Sequence, residues 1–475
     1  MTETTKGKEL QDKLLKKDRS VWATLPNEEE QAVFAFAEDY KKFLNEGKTE
    51  RKAAQFMVKL AESQGFQPLE QLIGSGQPLA PGTKVYSLNR GKALIMAVIG
   101  QQPIEQGLNI IGAHLDAPRL DLKPNPLYEN EGLAWFKTHY YGGIKKYQWV
   151  TIPLALHGVI IKGDGTKGEV TIGEDEQDPV LVISDLLPHL AQEQMEKKMT
   201  EAITGEGLNL LVGSIPFQEE DLKEKVKIAI LEKLHRDYGI VEEDFISAEL
   251  EAVPAGKARD VGLDRGIVGA YGQDDRVCSY AALRAILEIG LPERTALALF
   301  VDKEETGSAG NTGMQGVFLE NFIAEVTALA SGDYRELACR RALAGSRALS
   351  ADVNAALDPN YEGVMEKMNA SRLGGGVVLT KYTGSRGKSS TSDANAEFVA
   401  QVRQLFNKKG ITWQTGELGA VDKGGGGTIA MFMANLGMEV LDCGVALLSM
   451  HAPMELASKG DVFVLYKAYR AFFQE

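Results

Sequence analysis

The stretch that most constrains the fold is Thr295-Ala296-Leu297-Ala298-Leu299-Phe300-Val301-Asp302-Lys303-Glu304-Glu305-Thr306-Gly307-Ser308-Ala309-Gly310. A short, uncharged apolar run of this kind fits a strand covered on both faces, as in a parallel α/β sheet. The run stops abruptly in an acid pair and then in glycine-punctuated chain. Two neighbouring glutamates cannot both be buried as ions unless cations hold them, because like charges repel at that separation and desolvation adds to the cost. A metal site at the carboxyl end of the strand is the economical reading, and a solvated acidic turn is the bland one.

At 475 residues, 44% of them hydrophobic, the chain is long enough for two or three domains around a large core. A net charge of -14 with no compensating Lys/Arg block argues against nucleic acid or an anionic membrane as partner, and leaves peptides or small molecules. Cys278, Cys339 and Cys443 are too widely spaced for a disulfide framework or a paired-cysteine zinc site, which suggests a reducing compartment. The charged amino-terminal segment, with Lys16, Lys17 and Asp18, has no apolar signal core, and no run of 18 apolar residues follows. A cytoplasmic protein with no membrane span is therefore expected.

The remaining chain alternates helices with short apolar runs. Asn27 should cap a helix to Gly47 with Val33, Phe34, Ala37, Tyr40 and Phe43 inward, and a second helix should run from Thr49 to Gly65. Lys84–Leu88 and Lys92–Ile99 read as a hairpin. Leu108–Ala113 reads as a strand ending in His114-Leu115-Asp116, where the two-residue spacing lets Asp116 orient the His114 imidazole. After Pro118 the pattern changes to aromatic and glycine-punctuated chain, with charged helices expected over Gln192–Ile203 and Asp221–Leu234. Residues 120–255 therefore read as an insertion between a first part, 1–119, and a second, 256–475, of one α/β domain.

In the second part Asp274-Asp275-Arg276 opens a helix to Leu287; one aspartate can cap it, which leaves a spare carboxylate. Ala348–Ala351 ends in Asp352, Ser449-Met450 leads to His451, and Asp461 should cap the last helix. Ligands of open α/β sheets gather at the carboxyl ends of strands, where His114, Glu304, Glu305 and Asp352 sit. Two histidines and several carboxylates without cysteine suit zinc, with cobalt or manganese as substitutes, and five ligands that share one carboxylate suit two ions. The Gly424–Gly427 loop lacks the spacing of a phosphate-binding loop, so close approach of the Gly425 and Gly426 backbone to a peptide substrate is the favoured reading. His139, His157 and His235 have no ligand-like context and read as structural.

Taken in order, Ile111 to Arg119, Asp274 to Arg276, Asp302 to Ser308, Ser350 through Tyr361 and Ser449 to His451 resemble the motifs of the aspartyl aminopeptidase and vacuolar aminopeptidase I family. The resemblance implies a three-layer α/β zinc-peptidase domain with an inserted, mainly β dimerisation or lid domain, and self-association through dimers to a dodecamer. It implies that His114 and Asp352 hold one zinc, Glu305 and His451 the other, with Asp274, the first residue of its motif, bridging and Glu304 as general base. It also implies that His189 reaches a neighbouring subunit's site to stabilise the oxyanion. The segment Trp135 to Gly143 departs from the aspartyl members, and their acid-recognising lysine aligns with Thr380, beside Lys381, so acidic and neutral amino-terminal residues both stay open as substrates. A dinuclear-zinc carboxypeptidase or N-acyl amino-acid deacylase is the alternative.

Overall fold

In the computed structural model, which describes residues 6–16 and 19–475, the apolar run is the strand Ala296–Val301, buried at every position. Lys17 and Asp18 of the charged amino-terminal segment lie outside the described residues. The strand belongs to a nine-stranded sheet ordered Gln67–Pro68, Lys84–Asn89, Ala93–Val98, Ala296–Val301, Asn109–His114, Arg347–Ser350, Glu439–Gly444, Val377–Thr380 and Trp413–Thr415. The four central strands from Ala296–Val301 to Glu439–Gly444 run parallel. Parallel neighbours need crossover connections, which place helices on both faces and bury the sheet. Val301 lies opposite His114, and Ser350 opposite Gly112. Three adjacent strands therefore finish at nearly one level, and the residues after them share one edge.

The helix Gln273–Leu287 is buried over almost its whole length and packs against the last helix, Lys459–Phe473. Aromatic rings join these two to the helix Glu30–Glu46: Tyr280 contacts Phe36, Tyr40 and Phe43, and Phe36 also meets Phe463 and Tyr466. Asn27 does not cap; it starts a 3-10 turn, and the α-helix begins at Glu30. The inward face is set by Phe36 in place of Phe34, which is half-buried against Trp22 and the Lys459 ammonium. Asp461 likewise leaves capping to Ser458, whose hydroxyl accepts from the Asp461 N–H. The freed Asp461 carboxylate accepts from the Gly374 and Gly376 N–H groups at 2.7 and 2.8 Å. A buried carboxylate must find hydrogen-bond donors, and two amides supply them here, a need that outweighs a local cap.

A second sheet, antiparallel and six-stranded, is ordered Lys167–Ile172, Leu154–Ile161, Ala248–Pro254, Arg119–Asn130, Leu133–Tyr141 and Leu210–Gly213, and so draws on residues 119–254 alone. Its own apolar core includes Trp149, Leu154, Leu210 and Phe245. The helix expected over Gln192–Ile203 is two single turns, Gln192–Met195 and Met199–Ala202, interrupted where Lys198 turns extended. The second charged helix runs Lys225–Tyr238. Ion pairs cross the junction with the first sheet's layers: Lys48 meets Glu174, Arg119 meets Glu50, and Arg51 and Lys92 meet Glu249, while His157 contacts Glu174 within the second sheet's region. A third sheet of five strands, Arg259–Val261, Ile267–Ala270, Glu455–Ser458, Ala446–Leu448 and Asn354–Ala355, backs the helix Gln273–Leu287. Among the described residues no helix is long and apolar enough to cross a membrane.

Phe43 is fully buried and stacks on Tyr280 with ring centroids 5.4 Å apart. Phe43→Ala is expected to destabilise the first layer by on the order of 3–5 kcal/mol, as emptied aromatic sites do, seen as a lowered thermal midpoint and faster proteolysis.

Candidate metal centre

The parallel register carries three strand ends to a single point, where one helix start and one turn join them. His114 is the last residue of its strand, Glu304 and Glu305 form a 3-10 turn after Ala296–Val301, and Asp352 follows Arg347–Ser350. Asp274 stands at the head of Gln273–Leu287 with a non-helical backbone, so its carboxylate leaves the helix surface and enters the centre. His451 arrives from a turn with φ 65°. Asp274 Oδ1 lies 3.3 Å from His114 Nε2, and its Oδ2 lies 3.1 Å from His451 Nε2. His451 Nε2 is also 3.4 Å from Glu305 Oε1, and Glu304 Oε2 is 3.9 Å from His114 Nε2. Two triads result, His114 with Asp274 and Asp352, and Asp274 with Glu305 and His451, each with donor atoms within 4.8 Å of one another. Asp274 belongs to both.

Outward-facing groups fix these side chains. His114 Nδ1 turns toward Asp116, 3.1 Å from its carbonyl and 3.3 Å from Oδ1, which leaves Nε2 for the centre. The Asp116 carboxylate also accepts the Glu304 and Glu305 N–H groups at 3.1 and 3.2 Å, and the Tyr141 hydroxyl at 2.7 Å. His451 Nδ1 donates to the Gly143 carbonyl at 2.8 Å. Glu455, wholly buried, accepts the His451 N–H at 2.7 Å and the Asp274 N–H at 3.0 Å. Asp275 turns away and accepts the His114 N–H at 3.4 Å. Sequence reading missed Tyr141, Gly143 and Glu455. Tyr141 is one aromatic among several in its stretch, Gly143 acts through its backbone, and Glu455 is a lone acid in an unremarkable segment.

The centre opens into a cleft of about 540 Å³, lined by Asp274, Glu304, Glu305, Asp352 and His451 at one end and by Val353, Leu418, Met431, Phe432 and Met450 elsewhere. Gly425 and Gly426 are in this lining. The lack of a side chain at Gly425 is required by protein, however: a Cβ there would come within 1.8 Å of the Gly384 carbonyl oxygen. Lys381 is outside the lining, exposed and paired with Asp393. The structure therefore does not bring Lys381, expected as a substrate contact, into the cleft of its own chain; an exposed lysine reaches the nearest surface acid, Asp393, more readily. His189 is exposed on the turn Pro188–Leu190 and is likewise outside the cleft of its own chain.

A family model for aminopeptidase I zinc metalloproteases, M18, matches residues 43–473. The chain belongs to the M18 family. A probable M18 family aminopeptidase 1 of Clostridium acetobutylicum is 53% identical over 97% of this chain and 98% of its own length. One of Thermotoga maritima is 47% identical over 96% and 99%. The crystal structure of the Thermotoga maritima M18 aminopeptidase superposes with a TM-score of 0.92 at 46% identity, and covers 97% of this chain and all of that one. Aminopeptidase I from Clostridium acetobutylicum gives 0.91 at 50% identity, covering 97% of this chain and all of that one. At 23% identity a dodecameric mApe1 structure of S. cerevisiae shares the fold, with a TM-score of 0.75 over 95% and 98% of the two chains. The protein is thus a zinc-metalloprotease aminopeptidase that releases amino-terminal residues, and the carboxypeptidase and deacylase readings fall away.

The donor set fits the zinc of this family. Asp274 Oδ1 and Glu305 Oε1 are buried without a hydrogen-bond partner, although imidazole nitrogens stand 3.3 and 3.4 Å away. Buried carboxylate oxygens arranged in this way suit a cation, which would offset their charge. Burial pushes the Glu304 carboxyl up to about 7, with the Asp274 and Asp116 charges adding to it against the pull of the imidazoles. Burial and Asp274 likewise raise Glu305 and Asp352. Burial alone would lower His451, but Asp274 and Glu305 carry it up to about 10.

All of these groups hold protons more tightly folded than unfolded, so each contributes stability that is present below its unfolded pKa and lost as pH rises through the folded one. For Glu304 that window runs from 4.5 to about 7, and for His451 from 6.5 to about 10. Cations replace those protons. The rise in thermal midpoint on adding zinc to chelator-stripped protein should therefore widen from pH 5.5 to pH 8; a gain independent of pH would count against a cation at these carboxylates.

Proposed function

We propose that this M18 aminopeptidase works with two zinc ions, one held by His114 and Asp352, the other by Glu305 and His451, with the Asp274 carboxylate shared between them. The shared position of Asp274 in both donor triads is the observation that carries the reading. Zinc bound there would supply a Lewis acid that polarises the scissile carbonyl and acidifies a water. Cobalt or manganese fits the same donors. Glu304 lines the cleft beside both imidazoles and is not needed as a ligand in either triad. Its carboxylate takes the proton of the attacking water and returns it to the departing amine, and a pKa near neutrality suits both halves of that task. Asp116 acts from behind, orienting His114 and holding the Glu304–Glu305 turn by two amides.

The substrates are peptides with a neutral, apolar amino-terminal residue. Leu418, Met431, Phe432 and Met450 line the cleft, whereas no lysine or arginine does so among the described residues, and an acidic side chain would find no counter-charge. Assembly accords with the relatives. Leu187, Leu190, Met195 and Met199 are about half exposed or more beside His189, an apolar surface suited to a second copy of the chain. His189 then acts in the neighbouring subunit's site as an oxyanion donor. Self-association runs through a dimer built on residues 120–255 to a dodecamer; the S. cerevisiae mApe1 structure is a dodecamer.

Glu304→Gln should retain zinc by elemental analysis while kcat falls by about 100-fold or more, the lower end of general-base contributions. Wild-type turnover in that variant would remove Glu304 from the role. With a panel of aminoacyl p-nitroanilides, leucyl and methionyl substrates should be cleaved faster than aspartyl and glutamyl ones, and acetylation of the amino group should stop cleavage. A preference for aspartyl substrates would overturn the neutral reading.

A further inference from the structure

The turn Tyr141-Gly142-Gly143 belongs to the second sheet, yet each of its residues touches a different part of the metal centre. Tyr141 ends the strand Leu133–Tyr141 and pairs across the ladder with Arg119, five residues beyond His114. Its hydroxyl donates to Asp116 Oδ2 at 2.7 Å. That carboxylate contacts His114 Nδ1 and carries the Glu304 and Glu305 amides, so one phenol stands behind three side chains of the centre. Gly142 has φ 73°, and a Cβ there would meet Glu305 Cβ and Oε2 at 3.3 Å. Gly143 supplies the carbonyl that accepts from His451 Nδ1. The Arg119 guanidinium lies over the Tyr141 ring, 3.9 Å from its centroid, and is itself anchored to Glu50 and Asp121. The ring is thereby held against a guanidinium tied to the helix Glu50–Ser63 and to the second sheet.

We infer that this turn is a positioning device through which the second sheet sets the geometry of the metal centre, with Tyr141 its principal positioning residue. The inference rests on the ligand assignment made above. A buried carboxylate asked to serve an imidazole and two amides rotates toward whichever partner is strongest unless another donor fixes it. The Tyr141 hydroxyl supplies that donor and leaves Oδ1 facing His114. Outer-shell partners of a metal-bound imidazole tune metal affinity or activity by about 10- to 100-fold. Tyr141 touches no ligand atom, so its removal should loosen the metal without emptying the cleft.

Three variants of the protein test this: Tyr141→Phe, which keeps the ring on Arg119; Gly142→Ala, which adds a methyl against Glu305 at a left-handed backbone position; and Tyr140→Phe, a control on the exposed neighbouring position. Zinc affinity is read by competition with a chromogenic chelator, beside the thermal midpoint of metal-free protein and the kcat and KM of zinc-saturated protein. Tyr141→Phe and Gly142→Ala are each expected to weaken zinc about 10- to 100-fold and to lower kcat with KM within twofold, while Tyr140→Phe matches wild type. Unchanged zinc affinity in both test variants, or a fall in metal-free midpoint with affinity intact, would make the turn merely structural and overturn the inference. If only one test variant folds, that one decides. Failure of wild-type protein to bind zinc would instead overturn the ligand assignment itself, so the two failures are told apart.

Discussion

Crowding of carboxylates around Asp274 is the constraint on which the structure turns. Asp274, Asp275, Glu304, Glu305, Asp352, Asp116 and Glu455 are gathered beside only two imidazoles, most of them well removed from solvent. Like charges so placed would drive the local chain apart unless protons or cations intervene. Two of the seven are satisfied by other means, Asp116 by amides and a phenol and Glu455 by the Asp274 and His451 N–H groups, while Asp275 turns away with one oxygen on the His114 N–H and the other buried without a hydrogen-bond partner. The other four face the cleft; Asp274 reaches both imidazoles and belongs to both donor triads, and Glu304 belongs to neither, which is the division the proposed roles of ligands and base rest on.

The fold answers that constraint by spreading the contributions over separate elements. Parallel register brings His114, the Glu304–Glu305 turn and Asp352 to one sheet edge, where each side chain ends or follows a strand buried over all or nearly all of its length. The third sheet adds Glu455, which fastens the backbones of Asp274 and His451 together. The second sheet closes the arrangement from the far side through Tyr141 and Gly143. Residues distant in sequence therefore share one tolerance, and a catalytic geometry held to fractions of an ångström needs such support.

Much of the centre was legible in the chain itself. The apolar run into Glu304–Glu305, the His114-Leu115-Asp116 spacing and the spare carboxylate of Asp274-Asp275 each carry a local physical oddity, a charge where a strand ends or one cap too many. The helices of the first layer were also readable from periodicity, although Phe36 displaced Phe34 and Ser458 displaced Asp461 as cap. Those departures have one cause. A half-buried ring or a capping acid is chosen locally with little at stake, and tertiary partners such as the Gly374 and Gly376 amides then outbid the local option.

By itself the sequence determined the layer type, the placement of charged residues at strand ends and the chemical kind of the donors, because strand burial and ionic repulsion act over a few neighbouring residues. Only the tertiary structure decided that Asp274 is shared by two triads, that Lys381 turns away to Asp393, and that Tyr141, Gly143 and Glu455 hold the centre from behind. Those outcomes depend on which distant backbone amide, carbonyl or acid lies within about 3 Å. That proximity is produced by sheet register and packing, and no stretch of the chain contains it.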